Sequence, residues 1–233
     1  MTCLLAIETA TASCSVALTC DGAVLQRTAG GGDRPSEQVP LLIGELFAEA
    51  GFGLSRLDAI AFDAGPGSFT GIRVGCGLAQ GIALGLDRPL VQIGSLALLA
   101  MQAPAGRVVA LLDARMAEIY WAPFERADTP QALPQALAIP RVCPPGEWVC
   151  PLDIDALIGD GLAAYPALCA VLPAGVAVLD RHARPRAVDM LPLALAELAA
   201  GRGIAAEAAS PLYVRDKVAL TASEQLARRA QRA

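Results

Sequence analysis

The chain has 233 residues and is 55% hydrophobic, which suits one large domain or two small ones with a sizeable core and excludes a disordered chain. Its formal net charge of -5, with Lys217 as the single lysine, disfavours strong binding of nucleic acid by this chain alone. Two groups of arginines, in "DRHARPR" and at the end of the chain, are typical of a solvated loop and a solvated tail.

Cysteine usage and the apolar stretches indicate the compartment. The seven cysteines include no C-x-x-C pair, so we expect thiols in a reducing compartment rather than a disulfide framework or a zinc site. The first residues lack a basic region and reach Glu8 too soon for a signal peptide. Arg73 and Gln80 interrupt the glycine-rich stretch that comes nearest to a membrane span. We therefore expect a soluble, cytoplasmic protein without membrane contact.

The first hundred residues predict a β-meander followed by alternating helices and strands. Cys3 to Glu8 is apolar, "SCSVALTC" alternates, and Asp21-Gly22 is a hairpin signal before "AVLQRT". Ser36 is predicted to cap a helix that runs through Ala50 with one apolar face. A strand in "LDAIAFDAG", the glycine-rich helix, a strand in "PLVQIG" and a helix from Ser95 complete the order βββαβαβα.

The second half of the chain repeats the opening pattern. "RVVALLDARMAEIYWAPF" predicts strand, turn and strand, with Asp113 in the place that Glu8 has in the first hairpin. We therefore predict two domains built on one plan, residues 1–103 and 104–233. "AGVAVLD" predicts a strand, "DMLPLALAELAAGRG" a helix and "SPLYVRDK" an extended exit, while the tail from Thr221 predicts a short helix or a disordered segment.

Three turns carry the candidate chemistry. In "ETATASCS", the acid Glu8 and the hydroxyls of Thr9, Thr11 and Ser13 can cradle a phosphate or hold a hydrated cation, or simply satisfy a tight turn.

In "GPGSFTG", a loop with Gly65, Gly67 and Ser68 precedes a helix N-terminus, which suits an anion. The loop is neither a Walker A sequence nor a dinucleotide fingerprint, and the alternative is a turn capped by Ser68 or Thr70. In "LLDARMAE", Asp113 could face a nucleotide across a cleft or form an interdomain salt bridge.

Histidine is nearly absent. The only one, His182, lies in the loop "DRHARPR", which favours an exposed position. A metal site that needs a pair of histidines is therefore excluded, and no metal ligands are predicted.

The stretch "GIRVGCGLAQGIALG" places five glycines after Thr70 in a predicted helix, where each costs roughly 0.5–1 kcal/mol relative to alanine. On a helical wheel they share a broad arc with Val74, Leu78 and Ile82. The helix is either fully internal or presents a flat face to a second helix, and we favour a partner interface.

Four stretches together resemble the bacterial TsaB (YeaZ) family: "LLAIETATASCSVAL", "GPGSFTGIRVGCGLAQGIALG", "LLDARMAEIYWA" and "PLYVRD". The resemblance covers essentially the whole chain. It implies an α/β protein of the actin-like ATPase fold, made of two RNase H-like domains with mixed sheets. It also implies the dimerisation subunit of the machinery that makes N6-threonylcarbamoyladenosine in tRNA.

The family's partners follow from the same resemblance. It implies pairing with a TsaD-type transferase subunit, while a TsaE-type subunit hydrolyses ATP. The transferase carries a histidine pair for its metal, whereas the corresponding stretch here, "DRPSEQVPLL", has no histidine. No cofactor is therefore implied for this chain: ATP or ADP and the metal are expected in the partner subunits, and tRNA only through the complex. A homodimer through the same surface would compete with the heterodimer.

The implied interface covers the first two helices, with a local departure at "VPLL", where family members often have "LLP". Its candidate residues are Val39, Leu42, Ile43, Leu46, Phe47, Gly71, Val74, Gly75, Leu78, Gly81, Ile82 and Gly85. The alternative function is an independent nucleotide-dependent phosphotransferase that uses Glu8, Asp63 or Asp113 with Mg²⁺. A metallopeptidase, a label attached to this superfamily, is disfavoured by the single histidine.

Overall fold

The computed structural model of the chain describes residues 2–30, 34–129 and 131–215. The first half forms a five-stranded sheet in the order β3-β2-β1-β4-β5. Its strands are β1 (Leu4–Glu8), β2 (Cys14–Cys20), β3 (Ala23–Ala29), β4 (Ala59–Gly65) and β5 (Leu90–Gly94). The central strand β1 is antiparallel to β2 and parallel to β4, so the predicted meander continues into a crossover.

The helices of the first half are α1 (Pro35–Ala50), α2 (Phe69–Leu86) and the short α3 (Ser95–Ala100). The predicted cap at Ser36 is wrong: α1 begins at Pro35, and its N-cap residue Arg34 makes no side-chain cap bond. Proline suits the first helical position because its fixed φ matches the helix and its missing N–H would be unpaired there. The helix ends at Gly51, whose φ of 73° favours glycine.

The second half repeats this plan, as the sequence predicted. Its strands are β6 (Gly106–Arg115), β7 (Glu118–Arg126), β8 (Gln135–Ala136), β9 (Arg141–Cys143), β10 (Ala156–Ile158) and β11 (Ala177–Asp180). The order β8-β7-β6-β10-β11 matches that of the first sheet, and β9 also pairs with β7. The central β6 is antiparallel to β7 and parallel to β10, as β1 is to β2 and β4. The helices of this half are α4 (Gly161–Ala164) and α5 (Ala187–Ala199).

Helix α5 belongs to the second half of the chain but packs on the first sheet. Its buried residues Met190 and Ala194 share a core cluster with Leu4, Ala6 and Val91 of β1 and β5. α1 and α2 cover the opposite side of that sheet, in a core cluster that includes Leu5 and Phe62. The strands of the first sheet come before the proposed domain boundary at 103/104, and those of the second sheet come after it. Helix α5 follows that boundary in the chain but packs on the first sheet. The boundary itself stays a prediction.

Two further expectations concern the thiols and the tail. The seven cysteines, which all lie within the described residues, form no disulfide bond, and four of them are buried. The predicted helix or disordered segment from Thr221 lies outside the described residues.

Helix α2 has the length and apolar composition of a membrane span. It packs on β4 as a layer helix of an α/β fold, which is compatible with a soluble protein.

Candidate functional site

A cavity of about 290 Å³ lies between the two halves. It is lined by the β1–β2 turn, the loop before α2, the end of β6 and a late segment that contains Tyr213 and Arg215. Thr11, Gly67, Ser68 and Asp113, which the sequence placed in three separate turns, all reach it. The fold therefore brings together part of the predicted phosphate-binding set.

The other predicted residues, and Ser68 as well, form hydrogen bonds with neighbouring parts of the chain. Thr9 is fully buried, and its hydroxyl donates to the carbonyl oxygen of Gly71 at 2.8 Å. The hydroxyl oxygens of Ser13 and Thr11 lie 3.4 Å apart. Gly65 has a φ of 103°, and its N–H donates to Asp63. Ser68 caps α2 by accepting from the N–H of Gly71 at 3.3 Å, the capped-turn alternative drawn from the sequence.

Glu8 and Asp63 are both fully buried at the ends of the neighbouring parallel strands β1 and β4. Glu8 accepts from the N–H of Ala10 at 2.7 Å and from the hydroxyl of Ser15 at 3.3 Å. Asp63 Oδ1 accepts from the N–H of Gly65 at 2.8 Å and from the hydroxyl of Ser95 at 2.6 Å, whereas its Oδ2 has no hydrogen-bond partner. Each carboxyl thus holds a turn or helix start in place.

Burial decides the protonation of this pair. Loss of hydration raises the pKa of Asp63 from 3.8 to about 7. Burial, followed by the charge of Asp63, also raises the pKa of Glu8 well above its ordinary value. Both carboxyls therefore favour the protonated form more than exposed acids do.

Asp113 forms its bonds within the second half. Its carboxylate lies 3.0 Å from the guanidinium of Arg115 and accepts from the N–H of Arg115 at 2.8 Å. It also accepts from the hydroxyl of Tyr165 at 3.2 Å. The ion pair therefore closes the β6–β7 turn, and the alternative of an interdomain salt bridge is wrong.

The glycines of α2 fall into two groups. A Cβ on Gly71 would lie 2.0 Å from the carbonyl oxygen of Thr9, and one on Gly75 would lie 2.4 Å from its hydroxyl. These two glycines let the helix approach the β1–β2 turn, which corrects their assignment to a partner interface. Gly81 and Gly85, by contrast, meet nothing within 4 Å at the Cβ position.

Helix α1 also turns its predicted interface residues inward. Five of them are buried in the core of this chain because its apolar stripe packs on the sheet: Val39, Leu42, Ile43, Leu46 and Phe47. They are therefore corrected from surface to core. The exposed residues of α1 include Gly44, Ala48 and Leu41, the last of which is 61% exposed, together with the charged Glu37, Glu45 and Glu49.

The exposed faces of the two helices define what we call the outer face. Its residues on α1 are Leu41, Gly44 and Ala48, and those on α2 are Gly77, Gly81, Leu84 and Gly85. Val74, Leu78 and Ile82 border it and are half-buried. Of the predicted interface residues, Gly81 and Gly85 lie on the outer face, and the interface itself stays a prediction.

The structure also adds residues that the sequence did not single out. Ser95 bonds Asp63, Tyr165 bonds Asp113, and the guanidinium of Arg215 reaches the β6–β7 turn from the far end of the chain. His182 is exposed, as predicted. Within residues 2–30, 34–129 and 131–215, no group of three or more His, Cys, Asp or Glu side chains is arranged to hold a metal ion.

Two mixed sheets of matching strand order, with a cleft between them, define an α/β protein of the actin-like class with two RNase H-like halves. The family model of TsaD, tRNA N6-adenosine threonylcarbamoyltransferase, matches residues 32–223. The chain is 36% identical to the tRNA threonylcarbamoyladenosine biosynthesis protein TsaB of Escherichia coli over 230 residues, 93% of this chain and 96% of that protein.

A second relative and a solved structure agree. The protein of the same name from Haemophilus influenzae is 35% identical over 232 residues, covering 92% of this chain and 94% of that protein. The structure of YeaZ from Pseudomonas aeruginosa superposes with a TM-score of 0.83 at 36% identity and covers 91% of this chain and 100% of that chain. The chain therefore belongs to the TsaB (YeaZ) family.

Proposed function

We propose that this chain is a non-catalytic scaffold subunit of the machinery that makes N6-threonylcarbamoyladenosine in tRNA. It binds a TsaD-type transferase subunit through the outer face and holds that subunit in its active form. The observation that carries the proposal is the exposed surface of α1 and α2, where Gly77, Gly81 and Gly85 of α2 have open space at their Cβ positions.

The glycines of the outer face lower the stability of α2, and binding of a partner would offset that loss. Glycine in a helix interior costs roughly 0.5–1 kcal/mol relative to alanine, and three glycines stand on the solvent side of α2. Leu41 and Leu84 expose 61% and 57% of their surface beside them. Glycines let a second helix approach closely, and exposed leucines supply the apolar area that association buries.

The cleft supports a non-catalytic role. Asp113, which lines it, bonds Arg115 and Tyr165, and the buried acids Glu8 and Asp63, which do not line it, each bond to a neighbouring turn. We propose that nucleotide and metal bind in the partner subunits, with ATP hydrolysis by a TsaE-type protein. The chain contacts tRNA only within the complex, works in the cytoplasm, and forms a homodimer through the same face when the partner is absent.

Light scattering coupled to size-exclusion chromatography tests the interface. Gly81→Leu places a side chain on the outer face and is expected to abolish the heterodimer with a TsaD-type partner. Gly146→Leu places the same side chain in open space on the second half and serves as the matched control. Loss of the heterodimer in neither variant, or in both, would contradict the proposal.

One observation favours a second candidate, a nucleotide-dependent phosphotransferase. Thr11, Gly67, Ser68 and Asp113 meet at a cavity beside the N-terminus of α2, a geometry that suits a phosphate. The cavity of about 290 Å³ is, however, at or below the lower limit of ligand pockets, roughly 300–1,000 Å³. Saturable binding of ATP with Mg²⁺ to the isolated chain, measured by calorimetry, would favour this candidate, and we expect none.

A further inference from the structure

The extended segment Ser210–Arg215, which we call the clasp, runs from one half of the molecule to the other. At its first-sheet end, the N–H of Leu212 donates to the carbonyl oxygen of Ala64 in β4 at 2.7 Å. The next residue, Tyr213, accepts from Nε of Arg73 in α2 at 3.0 Å. The side-chain amide of Gln92 in β5 also donates to the carbonyl oxygen of Ser210, so three hydrogen bonds fix the start of the clasp to the first half.

Arg215 fastens the other end of the clasp to the second half. Its guanidinium donates to the carbonyl oxygen of Ala114 at 3.0 Å and forms an ion pair with Glu118. It also lies 3.5 Å from the sulfur of Met116. These three residues stand before, within and after the β6–β7 turn, so one side chain holds the whole turn. Only 16% of the Arg215 side chain is exposed.

The turn that Arg215 holds has an unusual backbone. Arg115, Met116 and Ala117 have φ values of 59°, 55° and 61°, three consecutive residues in the left-handed region without a glycine. Side chains disfavour this region because Cβ approaches the following carbonyl oxygen. Such strain persists only where neighbouring contacts over-determine the conformation. Here Asp113 holds the turn from one side and Arg215 from the other.

The clasp also forms one wall of the interdomain cavity. Leu212, Tyr213 and Arg215 line it together with the β1–β2 turn around Thr11. A segment that is bonded to both halves and fills part of the cleft between them limits how far that cleft can open.

We propose that Ser210–Arg215 is an intramolecular clasp that keeps the two halves closed on each other, with Arg215 as its fastening residue. Fastened, it keeps the β6–β7 turn in its left-handed conformation and the cleft small. Unfastened, it frees that turn and exposes the β1–β2 turn, whose Thr11 and Ser13 are half-buried, more fully to solvent. The clasp does not depend on the proposed scaffold function, because its contacts lie within this chain.

Amide hydrogen exchange followed by mass spectrometry on the full chain tests the clasp. Arg215→Ala is expected to speed exchange at least tenfold in the β6–β7 turn and in the β1–β2 turn together. The matched control is Arg107→Ala at the other end of β6, where Arg107 forms an ion pair with Glu125 at 3.0 Å. That variant is expected to leave both turns at the wild-type rate.

A second variant loosens the opposite end of the clasp. Leu212→Pro removes the N–H that bonds Ala64, and it is expected to speed exchange in the same two turns. This variant decides the question if Arg215→Ala fails to fold. Faster exchange confined to the β6–β7 turn would overturn the proposal, because it would show that Arg215 stabilises that turn alone and does not hold the two halves together. Wild-type exchange in both turns would overturn it as well.

Discussion

At the scale of single residues, the buried acids Glu8 and Asp63 show that a sequence can predict where a side chain lies on its strand but not which groups it bonds. Their places at strand ends could be predicted from "LLAIETATAS" and "LDAIAFDAG". Their bonds could not, since Ser95 reaches Asp63 across 32 residues and Ser15 links Glu8 to the first N–H of α5 across 172 residues. Pairing at that separation is set by the fold and leaves no local pattern.

The raised pKa of Asp63 predicts how stability depends on pH. The folded protein holds this proton more tightly than the unfolded chain does, because the pKa rises from 3.8 to about 7 on folding. The contribution of Asp63 to the free energy of unfolding therefore falls as pH rises across that window. It is fully present below the window and lost above it.

Asp63→Asn removes this titration while keeping an acceptor for Gly65 and Ser95. Urea unfolding from pH 4 to pH 8 should show wild type losing stability relative to Asp63→Asn as pH rises. Asp128→Asn, at an exposed acid, serves as the control and should show no such trend. A pH-independent difference between wild type and Asp63→Asn would contradict burial as the cause of the raised pKa.

At the scale of elements, the glycine-rich helix shows what a helical wheel can and cannot predict. The wheel placed all five glycines on one broad arc, and the structure divides that arc. Gly71 and Gly75 face the β1–β2 turn, while Gly77, Gly81 and Gly85 face open space. The wheel could not divide them because Thr9, which decides the division, lies 62 residues away from its bonding partner Gly71.

The same substitution at two glycines should therefore have opposite effects. Gly71→Ala is expected to destabilise the protein by about 1–3 kcal/mol, because the new Cβ would lie 2.0 Å from a backbone oxygen. Gly77→Ala is expected to stabilise it by about 0.5–1 kcal/mol, because it improves helix propensity in open space. Chemical denaturation of both variants measures the difference, and equal signs would contradict the division of the helix face.

At the scale of the whole molecule, the duplication of the fold could be predicted from the sequence, but the contacts that join the two halves could not. The repeated hairpin, in which each apolar run ends in an acid, predicted a second domain built on the plan of the first, whereas the strand order of the second sheet came only from the structure. The return of α5 to the first sheet and the path of the clasp depend on contacts between distant parts of the chain. Arg215, for example, bonds Ala114 from 101 residues away.

The position of α5 predicts that the first half does not fold well alone. A fragment of residues 1–103 lacks the helix that covers Leu4, Ala6 and Val91 on one side of the first sheet. It should bind a hydrophobic dye and unfold without a cooperative transition, and co-expression with residues 104–233 should restore both properties. A cooperative fragment without dye binding would show instead that α5 is dispensable for the first half.

The central claim is that this chain acts by contact and not by chemistry. Formation of threonylcarbamoyladenosine on tRNA, measured in a mixture with TsaD-type and TsaE-type partners, tests it most directly. Two variants separate the alternatives: Gly81→Leu alters the outer face, and Asp113→Asn alters an acid of the cleft. We expect product formation to be lost with Gly81→Leu and retained with Asp113→Asn. Loss with Asp113→Asn and retention with Gly81→Leu would contradict the scaffold and place chemistry in the cleft.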